Sequence, residues 1–238
     1  MMDIICYLSN GYPTIESSFD MAKEYVEAGC NIIEIDFPSR NPYLESEYIS
    51  NRMAEALKNC SDFDKYMDGM VKIKNHYPEI TFLLMVYENT VEEIGEKKFI
   101  DFCLDNGFID IILVGIKDEV NKNMMIEHGL RVSCYVQYQL MDKEVEYAKK
   151  SNGFVYMQAK PSNGIVNEQY KELKDCIAYL RSVGIDRPIY CGVGVHAPKD
   201  ARMVKDAGGD AAFVGSTILK LQNDLPKMKE MIKEFIYC

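Results

Sequence analysis

The stretch EAGCNIIEID, Glu27–Asp36, decides the fold. A helix-compatible segment runs to Gly29, the chain turns, and a β-branched apolar run begins that stops on two carboxylates. Gly29 stands where a helix C′ residue belongs, free to take the left-handed conformation that sends the chain back into a strand. The same order returns in DNGFIDIILV (Asp105–Val114), EHGLRVSCYV (Glu127–Val136), SNGFVYMQA (Ser151–Ala159), SVGIDRPIYCG (Ser182–Gly192) and DAGGDAAFVG (Asp206–Gly215). With DIICYLS at the start and ITFLLMVY in the middle, eight strands are predicted near residues 3–8, 31–36, 81–87, 109–114, 131–136, 154–158, 188–192 and 211–214. The intervening segments carry helical spacing, as in Phe19, Ala22, Tyr25, Val26 and in Tyr170, Leu173, Ile177, Leu180. Pro13 followed by Thr14 and Glu16 marks the first helix start, with Thr14 as N-cap and the Glu16 charge suited to the helix dipole.

Eight βα units in 238 residues are the number and size of a (β/α)8 TIM barrel. A doubly wound open sheet is the structural rival. No Pro/Gly/Ser-rich linker interrupts the pattern, so residues 1–238 are read as a single TIM-barrel domain. The longest departure, residues 43–78, has room for a long loop and two helices.

A net charge of −10 argues against nucleic acid or an anionic membrane surface as partner, because the summed field repels phosphate. Any bound phosphate must be held locally, by backbone amides or a single cation. The apolar runs are of strand length and the start MMDIICYLSNG lacks a basic segment followed by an apolar one, which points to a cytoplasmic protein. The eight cysteines are scattered, form no CxxC pair and read as free thiols acting as small hydrophobes. His76, His128 and His196 are isolated from one another, so no metal site is expected.

In a barrel, catalytic groups belong at strand C-termini and the loops that follow. Glu34 and Asp36 fall at the end of the second strand and, two residues apart, share a face. Two readings stand side by side: a structural one, capping the turn at Pro38 or pairing with Arg40, and a chemical one, in which burial and like charge raise a carboxyl pKa toward neutrality for proton shuttling. IYCGVGV (Ile189–Val195) and AFVGST (Ala212–Thr217) each end a late strand in a glycine turn. The loops after strands seven and eight are the usual phosphate cradle of such barrels, and a tight strand-to-helix turn is the steric alternative.

The segments CYLSNGYP, IIEIDFPSRNP, LLMVYEN, GFVYMQAKPSNG, CGVGV and FVGST, in this order, resemble the tryptophan synthase α subunit family. That family cleaves indole-3-glycerol phosphate to indole and glyceraldehyde 3-phosphate by a retro-aldol reaction, in complex with a pyridoxal-phosphate β subunit. The resemblance implies that Glu34 is the catalytic glutamate, that Tyr7, Tyr87 and Tyr156 line the aromatic pocket, and that Gly164, Gly194, Gly215 and Ser216 form the phosphate cradle. It implies no cofactor in this chain, since the indolenine tautomer is the electron sink. Core packing is the alternative for the three tyrosines.

The chain also departs from the family pattern. Glu45 falls where the family has its second catalytic acid, an aspartate, and Asp36 falls where it has glycine. AKPSNG replaces a GVTG-ended loop, with Lys160 near the phosphate and Asn163 in place of a threonine. LVGIKDE lacks an acidic-proline segment, and the helix that usually precedes the first strand is expected to be missing. Three functions follow: an indole-3-glycerol-phosphate lyase with Glu34, Glu45 and Asp36 as catalytic carboxylates; a diverged aldolase, lyase or isomerase acting on another small phosphorylated substrate; or a non-catalytic partner of a β-type subunit.

Overall fold

A computed structural model describes residues 1–117 and 119–238, the side chain of Asn163 excepted. The chain runs β1 (Asp3–Leu8), α1 (Ile15–Glu27), β2 (Ile32–Asp36), α2 (Glu47–Asn59), α3 (Phe63–His76), β3 (Thr81–Tyr87), α4 (Glu88–Ile94), α5 (Glu96–Asn106), β4 (Asp110–Val114), α6 (Val120–Glu127), β5 (Arg131–Val132), β6 (Cys134–Val136), α7 (Asp142–Lys150), β7 (Val155–Gln158), α8 (Leu173–Ser182), β8 (Ile189–Gly192), α9 (Pro198–Asp206), β9 (Ala211–Phe213), α10 (Gly215–Leu219) and α11 (Leu225–Ile236). The predicted fifth strand is split at Ser133 into β5 and β6. The other seven predicted strands lie within one residue of their expected bounds.

The strands lie in the order β5-β4-β3-β2-β1-β9-β8-β7-β6, with β1–β9, β2–β3, β3–β4, β4–β5, β6–β7, β7–β8 and β8–β9 all paired parallel. With helices alternating along the chain, this is the (β/α)8 barrel. β1 and β3 are buried at every residue but the first, as strands covered on both faces should be. Register is set in long runs, as where Ile32–Asp36 pairs with Thr81–Met85.

The repeating glycines have a common physical basis. α5 ends in Gly107 at φ +70°, and Phe108 N donates to Cys103 O at 2.8 Å, the six-residue closure that satisfies an orphan helix carbonyl. Leu130 N to Met125 O, Ile185 N to Leu180 O and Gly209 N to Val204 O repeat that closure after Gly129, Gly184 and Gly208, all at positive φ. Gly153 is the exception, since α7 ends on Ser151 in an extended conformation.

Thr14 Oγ1 accepts from Ser17 N at 3.2 Å, as an N-cap should. α1 buries Ser18, Ala22 and Tyr25, while Phe19 sits edge-on to His76 of α3 at 5.1 Å. α2 and α3 occupy the span for which two helices are predicted. All eight cysteines are free thiols, six of them buried. Among the described residues no helix is long and apolar enough to cross a membrane.

Two compact units divide the chain: Met1–Cys6, Ala28–Cys30 and Ser133–Cys238 make one, Tyr7–Glu27 and Asn31–Val132 the other.

Candidate functional site

In the unit of Tyr7–Glu27 and Asn31–Val132, the sequence-predicted residues Tyr7, Glu34, Asp36, Glu45 and Tyr87 come together at strand ends. Asp36 closes β2 fully buried, its Oδ2 accepting from Tyr7 Oη at 2.8 Å and its Oδ1 from Asn10 N at 2.6 Å. Neither structural partner read from the sequence holds it: Arg40 pairs with Glu93 at 2.7 Å instead. Glu34, partly exposed, makes no hydrogen bond or ion pair among the described residues.

The segment from Phe37 to Ser46 brings Glu45 in. Phe37 N donates to Met85 O at 2.9 Å, Asn89 Nδ2 to Ser39 Oγ at 3.1 Å, and Glu45 N to Pro42 O at 3.0 Å. Ser46 then caps α2 by accepting from Ile49 N. Tyr87, the last residue of β3, donates from Oη to Glu45 Oε1 at 3.3 Å and accepts from Leu44 N at 3.2 Å. Its ring stands edge-on to Tyr43 at 5.9 Å.

Electrostatics follow from this enclosure. Burial, then the charges of Glu45 and Asp36, push the Glu34 carboxyl up to about 8. Burial also raises Asp36, while the Asn10 amide and Tyr7 hydroxyl oppose it, leaving it at about 7. Glu45 is raised by burial and eased by Tyr87. Burial, with Asp36, Glu45 and Glu34 nearby, holds the Tyr7 phenol protonated. At neutral pH the cluster therefore retains protons that ordinary carboxylates have lost.

The turn after β1 lies within CYLSNGYP, but the resemblance assigns no role to its Ser9 or Asn10. Ser9 Oγ and both side-chain polar atoms of Asn10 are buried without a hydrogen-bond partner among the described residues. Gly11 (φ +80°) admits no side chain, because a Cβ there would lie 2.4 Å from the Tyr66 ring.

The other unit carries the glycine turns. Gly164 (φ +71°) ends the 3-10 turn Ser162–Gly164, and Gly194 (φ +103°) follows β8. A Cβ on Gly194 would lie 2.9 Å from Lys160 Cβ, so the lysine stem crosses directly over this backbone. Lys160 Nζ reaches Asp200 Oδ1 at 2.6 Å, and Asp200 Oδ2 accepts from His196 N at 2.9 Å and Ala197 N at 3.0 Å. The lysine and those amide bonds hold Asp200 below the usual carboxylate range despite its burial. Val193, between Gly192 and Gly194, is a β-branched residue at φ +60°, an uncommon strain that a glycine search overlooks.

Gly215 and Ser216 open α10, where the first amides have no acceptor within the helix. Ser216 lines a cavity of about 550 Å³ with His196, Thr217 and two cations that no motif announced, Lys220 and Lys227. Tyr156 stacks on Phe213 at 4.2 Å and meets Tyr135 edge-on at 5.5 Å. A Cβ on Gly192 would lie only 2.5 Å from its hydroxyl. Tyr135 is 44 % exposed although both its strand neighbours are buried, and sequence reading passed it over. The role expected for Asn163 and the Asp118 part of LVGIKDE lie outside the described residues.

Among the described residues no group of three or more His, Cys, Asp or Glu is arranged to hold a metal ion.

The model of the family described as tryptophan synthase alpha chain matches residues 2–237. The tryptophan synthase alpha chain of Methanosarcina barkeri is 26% identical over 97% of this chain and 87% of its own length. That of Caldicellulosiruptor saccharolyticus is 27% identical over 98% of this chain and 90% of its own. A solved structure from Aquifex aeolicus superposes with a TM-score of 0.85 at 25% identity, covering 98% of this chain and 91% of that one. Tryptophan synthase from M. tuberculosis, in its aminoacrylate-bound form, shares the fold with a TM-score of 0.82 at 22% identity, over 98% of this chain and 91% of that one. Matched from its second residue to its second-last, this chain belongs to the tryptophan synthase alpha chain family.

Proposed function

We propose that the chain cleaves indole-3-glycerol phosphate to indole and glyceraldehyde 3-phosphate. The observation that carries this reading is Glu34, which has no hydrogen-bond or ion-pair partner among the described residues and whose carboxyl burial and two neighbouring acids keep protonated up to about 8. In the reaction Glu34 gives its proton to indole C3 while the ring N–H proton passes to Glu45, forming the indolenine. The Glu34 carboxylate then takes the proton of the glyceryl hydroxyl next to the ring, and the carbon–carbon bond breaks. Its electron pair returns to the ring, nitrogen regains its proton from Glu45, and aldehyde and indole leave. Atoms and protons balance without a redox step. A general acid–base group of this kind contributes on the order of 10²–10⁴ in rate.

Tyr7, Tyr87 and Tyr156 are assigned to the aromatic part of the substrate. Gly164, Gly194, Gly215 and Ser216 are assigned to its phosphate. The positive φ of Gly164 and Gly194 and the bare amides at Gly215 and Ser216 support that assignment. A β-type subunit as partner belongs to the same reading.

Indole release from indole-3-glycerol phosphate, followed with purified protein and with Glu34→Gln as control, is the test. Release well above the control is expected. No release, even with a β subunit present, would sink the lyase. A second reading, another small phosphorylated substrate, is favoured by one feature only: Glu45 is already bonded to Tyr87, leaving its fit to an indole N–H dependent on that contact. Triose phosphate bound without any indole release is the outcome that selects it.

A further inference from the structure

Glu34 and Asp36 are two residues apart on β2 and share a face, yet they are placed for different work. Asp36 is 0 % exposed, with Oδ2 taken by Tyr7 Oη and Oδ1 by Asn10 N. Glu34 is partly exposed and unpartnered among the described residues. A carboxylate enclosed with a donor on each oxygen has no direct path to a substrate proton. It does tie the end of β2 to Tyr7 of β1 and to the turn that follows.

The end of β1 and that turn are held by three ties. Gly11 N donates to Ser18 Oγ at 2.7 Å, Tyr25 Oη donates to Tyr7 O at 3.0 Å, and Asp36 supplies the third tie. The turn also carries Ser9 Oγ and the Asn10 carboxamide, enclosed and unpartnered among the described residues, which is a costly arrangement for a segment to keep unless its position is fixed.

We propose that Asp36 is a positioning residue for the cleavage: through Tyr7 Oη and Asn10 N it clamps the turn after β1 to the end of β2 and so fixes the setting of Glu34. This rests on the reading of Glu34 as the acid–base group. The ionisable groups acting on Glu34 are Glu45 and Asp36, and those acting on Asp36 include Glu45 from its loop and Tyr7 from β1. Tyr66 of α3 and Tyr87 of β3 complete the set, the first under the field of Asp36 and the second bonded to Glu45.

The test separates clamp from charge. In Asp36→Asn one oxygen still accepts from Asn10 N and the amide nitrogen can donate to Tyr7 Oη, so the clamp survives and the charge is lost. In Asp36→Gly both are lost. Asp36→Asn should keep KM near wild type and move the Glu34-controlled limb of the pH–rate profile to lower pH. Asp36→Gly should lower kcat by about 10- to 100-fold, as misplacement of a reacting group by an ångström does. Tyr7→Phe should then cost less in the Asp36→Gly background than in wild type, because its bond is already gone. Titration of ¹³C-labelled Glu34, assigned with Glu34→Gln, reads the same setting without substrate and reports even if no indole is released. Wild-type kcat and KM in Asp36→Gly, or a Glu34 titration unmoved in both Asp36 variants, would overturn the clamp. A failure of indole release in wild type with a shifted Glu34 titration would instead overturn the lyase reading alone.

Discussion

At the ends of β1, β2 and β3 the chain collects Glu34, Asp36 and Glu45, and among the described residues none of the three pairs with Lys or Arg. After β7 and β8 it sets Lys160 on Asp200, whose second oxygen takes two backbone amides. Both regions come from the same strand–turn–helix repeat. One gathers acids with no cation beside them, so its cost appears as retained protons. The other compensates its buried acid and places its cost in backbone conformations that side chains resist. Proton chemistry suits the first, and close approach of a ligand to bare backbone suits the second.

The largest expected effect breaks the first region. Glu34→Gln removes the transferable proton while keeping size and should lower kcat for indole release by about 10²–10⁴, with KM little changed. The same variant should flatten the pH dependence of stability. Glu34 is raised to about 8 in the folded chain from 4.5, so the folded state holds a proton that the unfolded state has released. Its contribution is complete below the unfolded value, is eroded as pH rises, and is gone above about 8. Wild-type Tm should accordingly fall across this window and Glu34→Gln should fall less. Equal slopes would mean that Glu34 is not the proton holder.

Glu45→Asp is the next. Shortening the side chain by a methylene withdraws the carboxylate from Tyr87 Oη, now at 3.3 Å, and should cost about 10- to 100-fold in kcat. A faster enzyme would show that the loop from Phe37 to Ser46 readjusts around the shorter acid.

The second region breaks through its backbone. Gly194→Ala meets the Lys160 stem at 2.9 Å and also sits at φ +103°, whereas Gly164→Ala, at φ +71°, has open space around its Cβ. Strain alone costs about 1–2 kcal/mol, and crowding adds about 1–3 kcal/mol. Gly194→Ala should therefore lower Tm clearly more than Gly164→Ala, at roughly 2–4 °C per kcal/mol for a chain of this size. Equal losses would remove the lysine stem from the explanation.

How far this was legible depends on the range of each interaction. The helix-closing glycines act over six residues, so Gly107, Gly129, Gly184 and Gly208 announce themselves in sequence, and the strands between them follow. Gly153 reads the same and behaves differently, since α7 stops two residues sooner on Ser151. Glu34 was legible because a carboxylate at the end of a buried strand contradicts its surroundings. The partners of Asp36 lie 26 and 29 residues away and that of Lys160 lies 40 away, and no local pattern specifies them. Tyr135 and Val193 were hidden for another reason: exposure of one and positive φ of the other arise from strand placement, in residue types that ordinarily mean core.

Lys160→Met gives the smallest effect and the sharpest division within the second region. Methionine keeps an unbranched stem over Gly194 and removes only the ammonium. Asp200 then loses one partner but retains the amides of His196 and Ala197, and the lysine side chain is 38% exposed, so solvent already screens the pair. Stability should fall by no more than about 1 kcal/mol. If Lys160 also contacts the substrate phosphate, KM should rise while Tm barely moves. A Tm loss matching Gly194→Ala would show that the ion pair, rather than the glycine conformation, holds this turn in place.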